Sequence, residues 1–500
     1  VSIYWIEKSQ VNSSHALCEA LLLAPEGAVG IARSDVIAQF NAIDIEELLT
    51  ATDVVHAGLC FGADNCFESI QVCSFNWHFL NPSTERPAVS WKATRDFIVF
   101  RKELLSAVGP LDDEFLDPDA ALMDWVYRAL LMGAKTLNHP LPGFAPSGQK
   151  IAFTGADEML FVCKHFNRKA QNYYRFCKFW MTGRWYALRH VKNKPLEKYR
   201  SSFPFKLVNV QPGLKIQSYG ALIPTIDRYD YIGKSIESLL ALPFPPSEIV
   251  VVDQTPIARR MPELYEPYIK SGILKLLFLD APGQSTARNI GLREVRSSWV
   301  LLFEDDAEAW PSMVEEHIQL IRKSGCDVST GVIVPPGADE NFLPVFNRHY
   351  FLSDILTTGN AFLRVETIFS VGGFDIAFDK GPGADDDFGK RLYQAGKTIV
   401  YNYRSIETHY KAPMGGMRVH GVWWRNRSTL LGAYPPATQT YAILKYYKKE
   451  YFWHLLLTMV LNARKRYSIF GYLVFMALLP LKLWRSINSA KHLLMSTSNP

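Results

Sequence analysis

The sequence predicts an α/β fold built on a mainly parallel sheet. Three observations point there: apolar runs alternating with amphipathic segments, acids gathered where two of those runs end, and an internal repeat. From Tyr219 onward, YGALIPTI, EIVVVD, ILKLLFL and WVLLFE have the length and composition of buried strands. Between them Ile232, Ile236, Leu239 and Leu240 keep helical spacing behind Asp230 as a cap, and a later helix runs through Ala287 and Leu292. Such alternation gives parallel strands joined by crossover helices, and ligands collect beyond the strand carboxyl ends. Asp253 and the triplet Glu304, Asp305 and Asp306 stand at ends of that kind.

The repeat sets the organisation. FRKELLSAVGPLDDEF (100–115) matches LRVETIFSVGGFDIAF (363–378). The register continues without a gap: Gly109 pairs with Gly372, Asp112 with Asp375, Asp124 with Asp387, Arg128 with Arg391 and Gly133 with Gly396, all offset by 263 residues (372 − 109). Two copies of one domain are expected, the first beginning late and lacking the opening strands. The expected boundaries are 1–150 for a truncated, degenerate copy, 151–215 for a basic-aromatic helical linker, 216–435 for the complete copy and 436–500 for amphipathic C-terminal helices.

A chain of 500 residues exceeds what one core usually serves, which agrees with several domains. The formal charge of +5 is slight for this length and makes no case for a nucleic-acid partner. Seven cysteines with no CxxC pair read as reduced packing thiols. No signal-peptide pattern opens the sequence, and since it begins at Val1 instead of Met, residues upstream of it are expected. Lys, Arg and aromatic residues concentrate in 164–195 and again in 443–485. The C-terminal apolar runs, about Tyr451–Leu461 and Ile469–Leu481, fall short of the roughly 20 residues a spanning helix needs, and Pro480 argues against extension. Helices lying in a membrane interface, or packed against the second copy, are expected.

Three adjacent acids after an apolar run repel one another unless a cation sits among them. Hard oxygen donors so grouped suit Mg²⁺ or Mn²⁺, which would turn repulsion into attraction for a diphosphate. A second acidic cluster, ADDDFGKRLYQAGK, opens a helix at Asp385–Asp387, where acids also favour the helix dipole. At those positions the first copy has Leu122, Met123 and Asp124. The scaffold therefore needs only the third acid, which leaves Asp385 and Asp386 as candidates for chemistry.

In order and spacing, IPTIDR, EIVVVDQT, GQSTARNIGL, WVLLFEDDAE, TTGNAFLRVETIFSVGGFD, ADDDFGKRLYQAGKTIVY, THYKAP and WWRNR resemble the family 2 glycosyltransferases, with the A-type nucleotide-sugar fold, over about Tyr219–Arg427. The resemblance implies a Rossmann-like mixed sheet flanked by helices and an inverting transfer from a nucleoside-diphosphate sugar, aided by Mn²⁺ or Mg²⁺. Pro224, Thr225 and Asp253 match positions holding base and ribose, and Arg288, Asn289 and Asn360 fall in donor-side motifs. Asp305 and Asp306 match the acidic (DXD) metal motif, here EDDA, both as candidate ligands, with Asp306 favoured as the direct one, Asp305 also supporting the donor and His409 completing the shell. Asp385 matches the general base, with Asp386 beside it and Ala384 where the family usually has Glu.

The first copy offers only Asp35, in IARSDV, and Leu122 at the base position. It is expected to be noncatalytic and to serve packing, dimerisation or acceptor binding, unless upstream residues complete a second site. The expected setting is polysaccharide biosynthesis on a glycan or lipid-linked acceptor, peripheral on the cytoplasmic face of the membrane. A noncatalytic glycan-binding or scaffolding protein of the same fold is the alternative from another class, and a nucleotidyltransferase on a related sheet is a third.

Overall fold

The computed structural model describes residues 3–38, 42–141, 151–187, 204–208, 210–338, 350–413, 431–463 and 468–497. The WWRNR segment, residues 423–427, lies outside them. The fold is mixed α/β with two sheets. The first is built from β1 (Tyr4–Glu7), α1 (Ser14–Leu23), β2 (Ala28–Ala32), α2 (Ser34–Ile37), α3 (Ala42–Ala51), β3 (Val54–His56), β4 (Ala88–Val89), β5 (Phe97–Arg101), α4 (Glu103–Val108), α5 (Pro118–Met132) and β6 (Thr136–Asn138). Helices α6 (Gly155–His165) and α7 (Arg168–Thr182) follow.

The second sheet comes from β7 (Gly220–Thr225), α8 (Tyr229–Leu240), β8 (Glu248–Asp253), α9 (Glu266–Lys270), β9 (Leu274–Phe278), α10 (Gln284–Glu294), β10 (Trp299–Phe303) and β11 (Ala307–Ala309). It is completed by α11 (Met313–Ser324), β12 (Val328–Val334), β13 (Tyr350–Leu352), β14 (Asn360–Arg364), α12 (Val365–Phe369), α13 (Ala384–Gln394) and β15 (Ile399–His409). Helices α14 (Ala437–Tyr446), α15 (Phe452–Ala463) and α16 (Ile469–Thr497) close the chain. The apolar runs read from the sequence form β7, β8, β9 and β10, all parallel neighbours, and buried side chains of both sheets belong to one continuous cluster.

The two sheets share strand order and direction. The first runs β1-β2-β5-β3-β6-β4; the second contains β7-β10-β14-β12-β15-β13 in the same sense, with β8 and β9 added beyond β7 and β11 on β15. Registers coincide as well. Phe100 faces Val29 and Val54, and Leu363, at the repeat offset, faces Val300 and Val328. Thr136 faces Val54 as Ile399 faces Val328.

In this alignment β1 stands where β7 stands, so the first sheet does not begin late. The missing material lies inside it: residues 8–13 join β1 to α1, whereas 226–283, carrying α8, β8, α9 and β9, join β7 to α10.

Helices α6 and α7 are no free linker. Asn167 caps α7 through Lys169 and Ala170 amides at 3.1 Å, and Met159, Leu160, Phe161, Tyr174 and Cys177 are buried in the shared core. Lys164 Nζ, at the end of α6, lies 2.7 Å from both Asp112 and Asp124, while His165 meets the other Asp124 oxygen at 2.8 Å. The same latch recurs on α14: Lys445 Nζ lies 2.7 Å from Asp375 and Asp387, and the Tyr446 hydroxyl donates to Asp387 at 2.6 Å. Arg128 and Arg391 engage those aspartates from four residues along their own helices.

At the C-terminus α16 runs for 29 residues straight through Pro480, longer than the sequence pattern suggested, and it is long and apolar enough to cross a membrane. A helix tolerates a proline by giving up one backbone bond, and the turns on either side keep theirs.

Lys164→Met leaves Asp124, fully buried, without its nearest cation. The expected loss is about 3 kcal/mol in urea unfolding; an unchanged midpoint contradicts the latch.

Candidate active site

Strand β10 is apolar along its length and fully enclosed between β7 and β14, so the acids that follow are delivered at the sheet's carboxyl edge. Asp305 and Asp306 are nonetheless buried. The cation among them is Arg228, from the exit of β7: its Nη1 contacts Asp306 Oδ2 and lies 3.7 Å from Asp305 Oδ1. Thr225 Oγ1 donates to Asp305 Oδ2 at 2.7 Å, the Ala412 amide donates to Asp306 Oδ2 at 2.8 Å, and His409 Nε2 lies 3.0 Å from Asp306 Oδ1.

Burial pushes the Asp305 carboxyl above its ordinary range, against the pull of Arg228. Asp306 is buried too, but the His409 hydrogen bond and charge together with Arg228 hold it below that range.

Ligand atoms of Glu304, Asp306 and His409 lie within 4.8 Å of one another. Strand β15 makes this possible. Its far end crosses to pair with β11, setting Ala307 opposite His409 and so placing the imidazole beside the acids. Glu407, two residues earlier, is fully buried with both carboxylate oxygens lacking a hydrogen-bond partner among the described residues. Burial, with Glu304 and Asp306 nearby, drives its pKa well up. A hard O,O,N donor set with a surplus buried carboxylate against it fits a divalent cation. Asp305, expected as a second ligand, faces Thr225 and Arg228 instead. Asp305 and Asp306 form a turn between β10 and β11, in which Asp305 meets Thr225 while Asp306 also meets His409.

A polar chain links this corner to α13. Arg288, on α10, lies 3.9 Å from Glu304 Oε1, and its Nη2 donates to Thr358 Oγ1 at 3.1 Å. Thr358 Oγ1 donates in turn to Asp385 Oδ1 at 2.6 Å. Asp386 turns the other way: its Oδ1 accepts from Trp77 Nε1 at 2.7 Å and its Oδ2 from Lys390 Nζ at 2.5 Å.

On the donor side Asp253 ends β8 fully buried. It accepts from the Thr255 amide at 2.8 Å and from the Tyr229 and Tyr265 hydroxyls at 2.8 and 3.2 Å. Pro224 precedes Thr225 on β7 and is partly exposed. Asn289 and Asn360 are engaged by the fold. The Asn289 amide latches the backbone of Phe374 in both directions, at 2.7 and 2.8 Å. Asn360 sits in the sheet interior, bonded to His317 at 2.8 Å and to the Val332 and Ser405 carbonyls at 3.2 Å. Sequence reasoning placed Glu304 in the acidic triplet suited to a divalent ion without naming it as a ligand, and it assigned no role to Arg228, Thr358, Glu407 or Trp77.

Residues 221–380 match the family model "Glycosyl transferase family 2". No curated protein matches the chain. Among similar solved structures are GalNAc-T7 with UDP, GalNAc and Mn²⁺ (15% identity, 39% of this chain and 44% of that one, TM-score 0.35) and S. aureus TarS (18%, 39% and 37%, 0.32). The mannosyltransferase PcManGT from Pyrobaculum calidifontis, in complex with GDP-Man and Mn²⁺, is another (16%, 57% and 88%, 0.36). The chain thus spans less than half the length of the first two. The family match begins in β7, takes in Asp253, Arg288 and the acidic end of β10, and stops five residues short of Asp385 (385 − 380). The chain carries a glycosyl transferase family 2 domain.

Proposed function

We propose that the protein is a divalent-metal-dependent, inverting glycosyltransferase that moves a sugar from a nucleoside-diphosphate donor to a hydroxyl of a polysaccharide or lipid-linked glycan. The observation that supports this best is the chain from Glu304 through Arg288 and Thr358 to Asp385, which joins a cation corner to a helix-start carboxylate. Glu304, Asp306 and His409 would hold the ion. Bound Mn²⁺ or Mg²⁺ supplies positive charge against the departing diphosphate. Arg288, beside Glu304, adds a fixed cation there. Asp253 receives the nucleoside, whose hydroxyl or N–H donors replace the Tyr229 hydroxyl now on its carboxylate. Asp385 Oδ2 accepts no hydrogen bond among the described residues and takes the proton of the acceptor hydroxyl. The acceptor oxygen forms its bond to the anomeric carbon from the face opposite the diphosphate. The old bond breaks with its electron pair on the leaving group, and a single displacement inverts the centre.

The membrane reading gains a surface. Helix α7 of the first half packs on α15 through a Tyr173 hydroxyl bond to the His454 carbonyl, and α15 packs on α16 through Val460 and Phe475. Trp180, Trp453 and Phe470 are 73%, 64% and 77% exposed on these three helices, which also carry exposed Arg168, Lys169 and Lys491, with exposed Lys449 just before α15. Exposed aromatic and basic side chains on these helices suit an anionic lipid interface at the cytoplasmic face.

Asp385→Asn should lower kcat by about 10²–10⁴-fold with donor KM near wild type in a coupled nucleoside-diphosphate release assay; equal loss in both refutes the base. Glu304→Ala should weaken Mn²⁺ binding, measured by calorimetry with nucleotide present, as much as Asp306→Ala and more than Asp305→Asn. Equal effects of Glu304→Ala and Asp305→Asn would reject the donor set. Replacing Trp180, Trp453 and Phe470 together with Glu should release the protein from phosphatidylglycerol vesicles in a sedimentation assay, and undiminished pelleting counts against the surface.

A further inference from the structure

We infer that Trp77, carried by the first half of the chain, is a positioning residue for the first turn of α13, which makes that half a built-in brace of the helix that presents Asp385. This rests on the reading of Asp385 as the base, though the geometry stands by itself. Between β3 and β4 the first sheet sends out an excursion, residues 57–87, built of 3₁₀ turns over Gly58–Phe61, Ala63–Asn65, Glu68–Val72 and Trp77–Phe79. Its tip lies on α13. The Trp77 ring covers Gly389 so closely that a Cβ there would sit 1.8 Å from Cη2. His78 packs on the Tyr393 ring with centroids 5.7 Å apart, and the Tyr393 hydroxyl reaches the Leu80 carbonyl at 3.5 Å.

The start of α13 needs such help. Its N-cap is Gly383, with φ +110 and no side chain to hold the first amides, so local sequence leaves this turn loosely fixed. Two clamps compensate. On one flank Asp387 is tied by Arg391, Lys445 and Tyr446. On the other, Asp386 has one oxygen on Trp77 Nε1 and the other on Lys390 Nζ, both donors on side chains that are almost fully buried. Asp385 stands immediately before the two clamped residues in the same first turn, so the placement of its backbone follows theirs. The first sheet's own counterpart of Asp386, at the repeat offset, is the buried Met123, so this acid is not a scaffold requirement. A carboxylate added at the contact between the halves and met there by an indole N–H is a coupling of the two. Displacement of a reacting group by about 1 Å can cost 10²-fold in rate, which sets the scale at stake.

The test uses the full chain. Trp77→Phe removes the N–H donor together with the outer ring atoms that lie over Gly389, the two contacts by which Trp77 holds α13. It should lower kcat about tenfold with donor KM within twofold of wild type, and speed hydrogen exchange at the α13 amides from Asp387 onward, the first one bonded back to Gly383, in the protein without substrate. Asp386→Ala should also lower kcat and speed that exchange, and the loss in the double variant should fall short of the two single losses combined, since both changes remove the Trp77–Asp386 bond. Wild-type kcat with unchanged exchange, a parallel rise in donor KM, or additive losses would each overturn the brace. If Trp77→Phe does not fold, Asp386→Ala, at a half-exposed side chain, carries the same readings. A wild-type protein that transfers no sugar rejects the proposed function, while exchange at α13, which requires no turnover, still decides the brace.

Discussion

Burial of charge at the end of β10 is the constraint around which the rest is arranged. Three acids follow a strand whose apolar side chains fix its position in the sheet, and carboxylates out of water require countercharge or hydrogen bonds. Each neighbouring element supplies one. β7 brings Thr225 and, just past its end, Arg228; α8 brings Ser235 to the Asp305 carbonyl at 2.9 Å; β15 brings His409 by extending far enough to pair with β11. Glu407 has no hydrogen-bond partner on either oxygen among the described residues, and burial beside Glu304 and Asp306 raises its pKa. Arg288 then carries the electrostatics of this corner across to Thr358 and Asp385. Removing the acids would relieve the strain of burial, but those surrounding groups would lose their partners.

The two sheets show how one register can carry different chemistry. Where the second has Glu304, Asp305 and Asp306, the equivalent positions of the first hold Arg33, Ser34 and Asp35, and Arg33 pairs with Asp35 through two bonds of 2.9 and 2.6 Å. A cation at the first position closes the site internally. Leu122 and Met123 replace Asp385 and Asp386 and are buried. The segment containing α8, β8, α9 and β9, which in the second sheet carries Arg228 and Asp253, has no counterpart between β1 and α1. Charge inversion, apolar replacement and loss of the strand-end carboxylate occur together, while the Asp–Arg–Lys latch is kept in both halves because it fastens a helix to the core.

That latch also explains the placement of the basic-aromatic segments. Each half ends with a helix whose last-turn lysine bridges two aspartates, and the next helix, α7 or α15, is thereby laid along the same side of the molecule. Residues far apart in sequence become one surface, with α16 packed beside it.

The sequence by itself determined what depends on local pattern. Strands β7 to β10 follow from apolar runs whose length excludes helices, the acids at their ends from where those runs stop, and the register of β5, β6, β14 and β15 from the constant offset between the repeats. Glu304 was legible too, as the first of three adjacent acids after an apolar run. The tertiary structure decided what depends on contacts between distant segments. Arg228 between the acids, His409 delivered by a strand crossing, the orphaned Glu407 and the Trp77 bond to Asp386 leave no periodic trace, since each is a meeting of residues that periodicity places in unrelated elements. The span of α16 through Pro480 belongs with them: a proline's local cost is fixed, and whether a helix bears it is settled by the turns and neighbours on both sides.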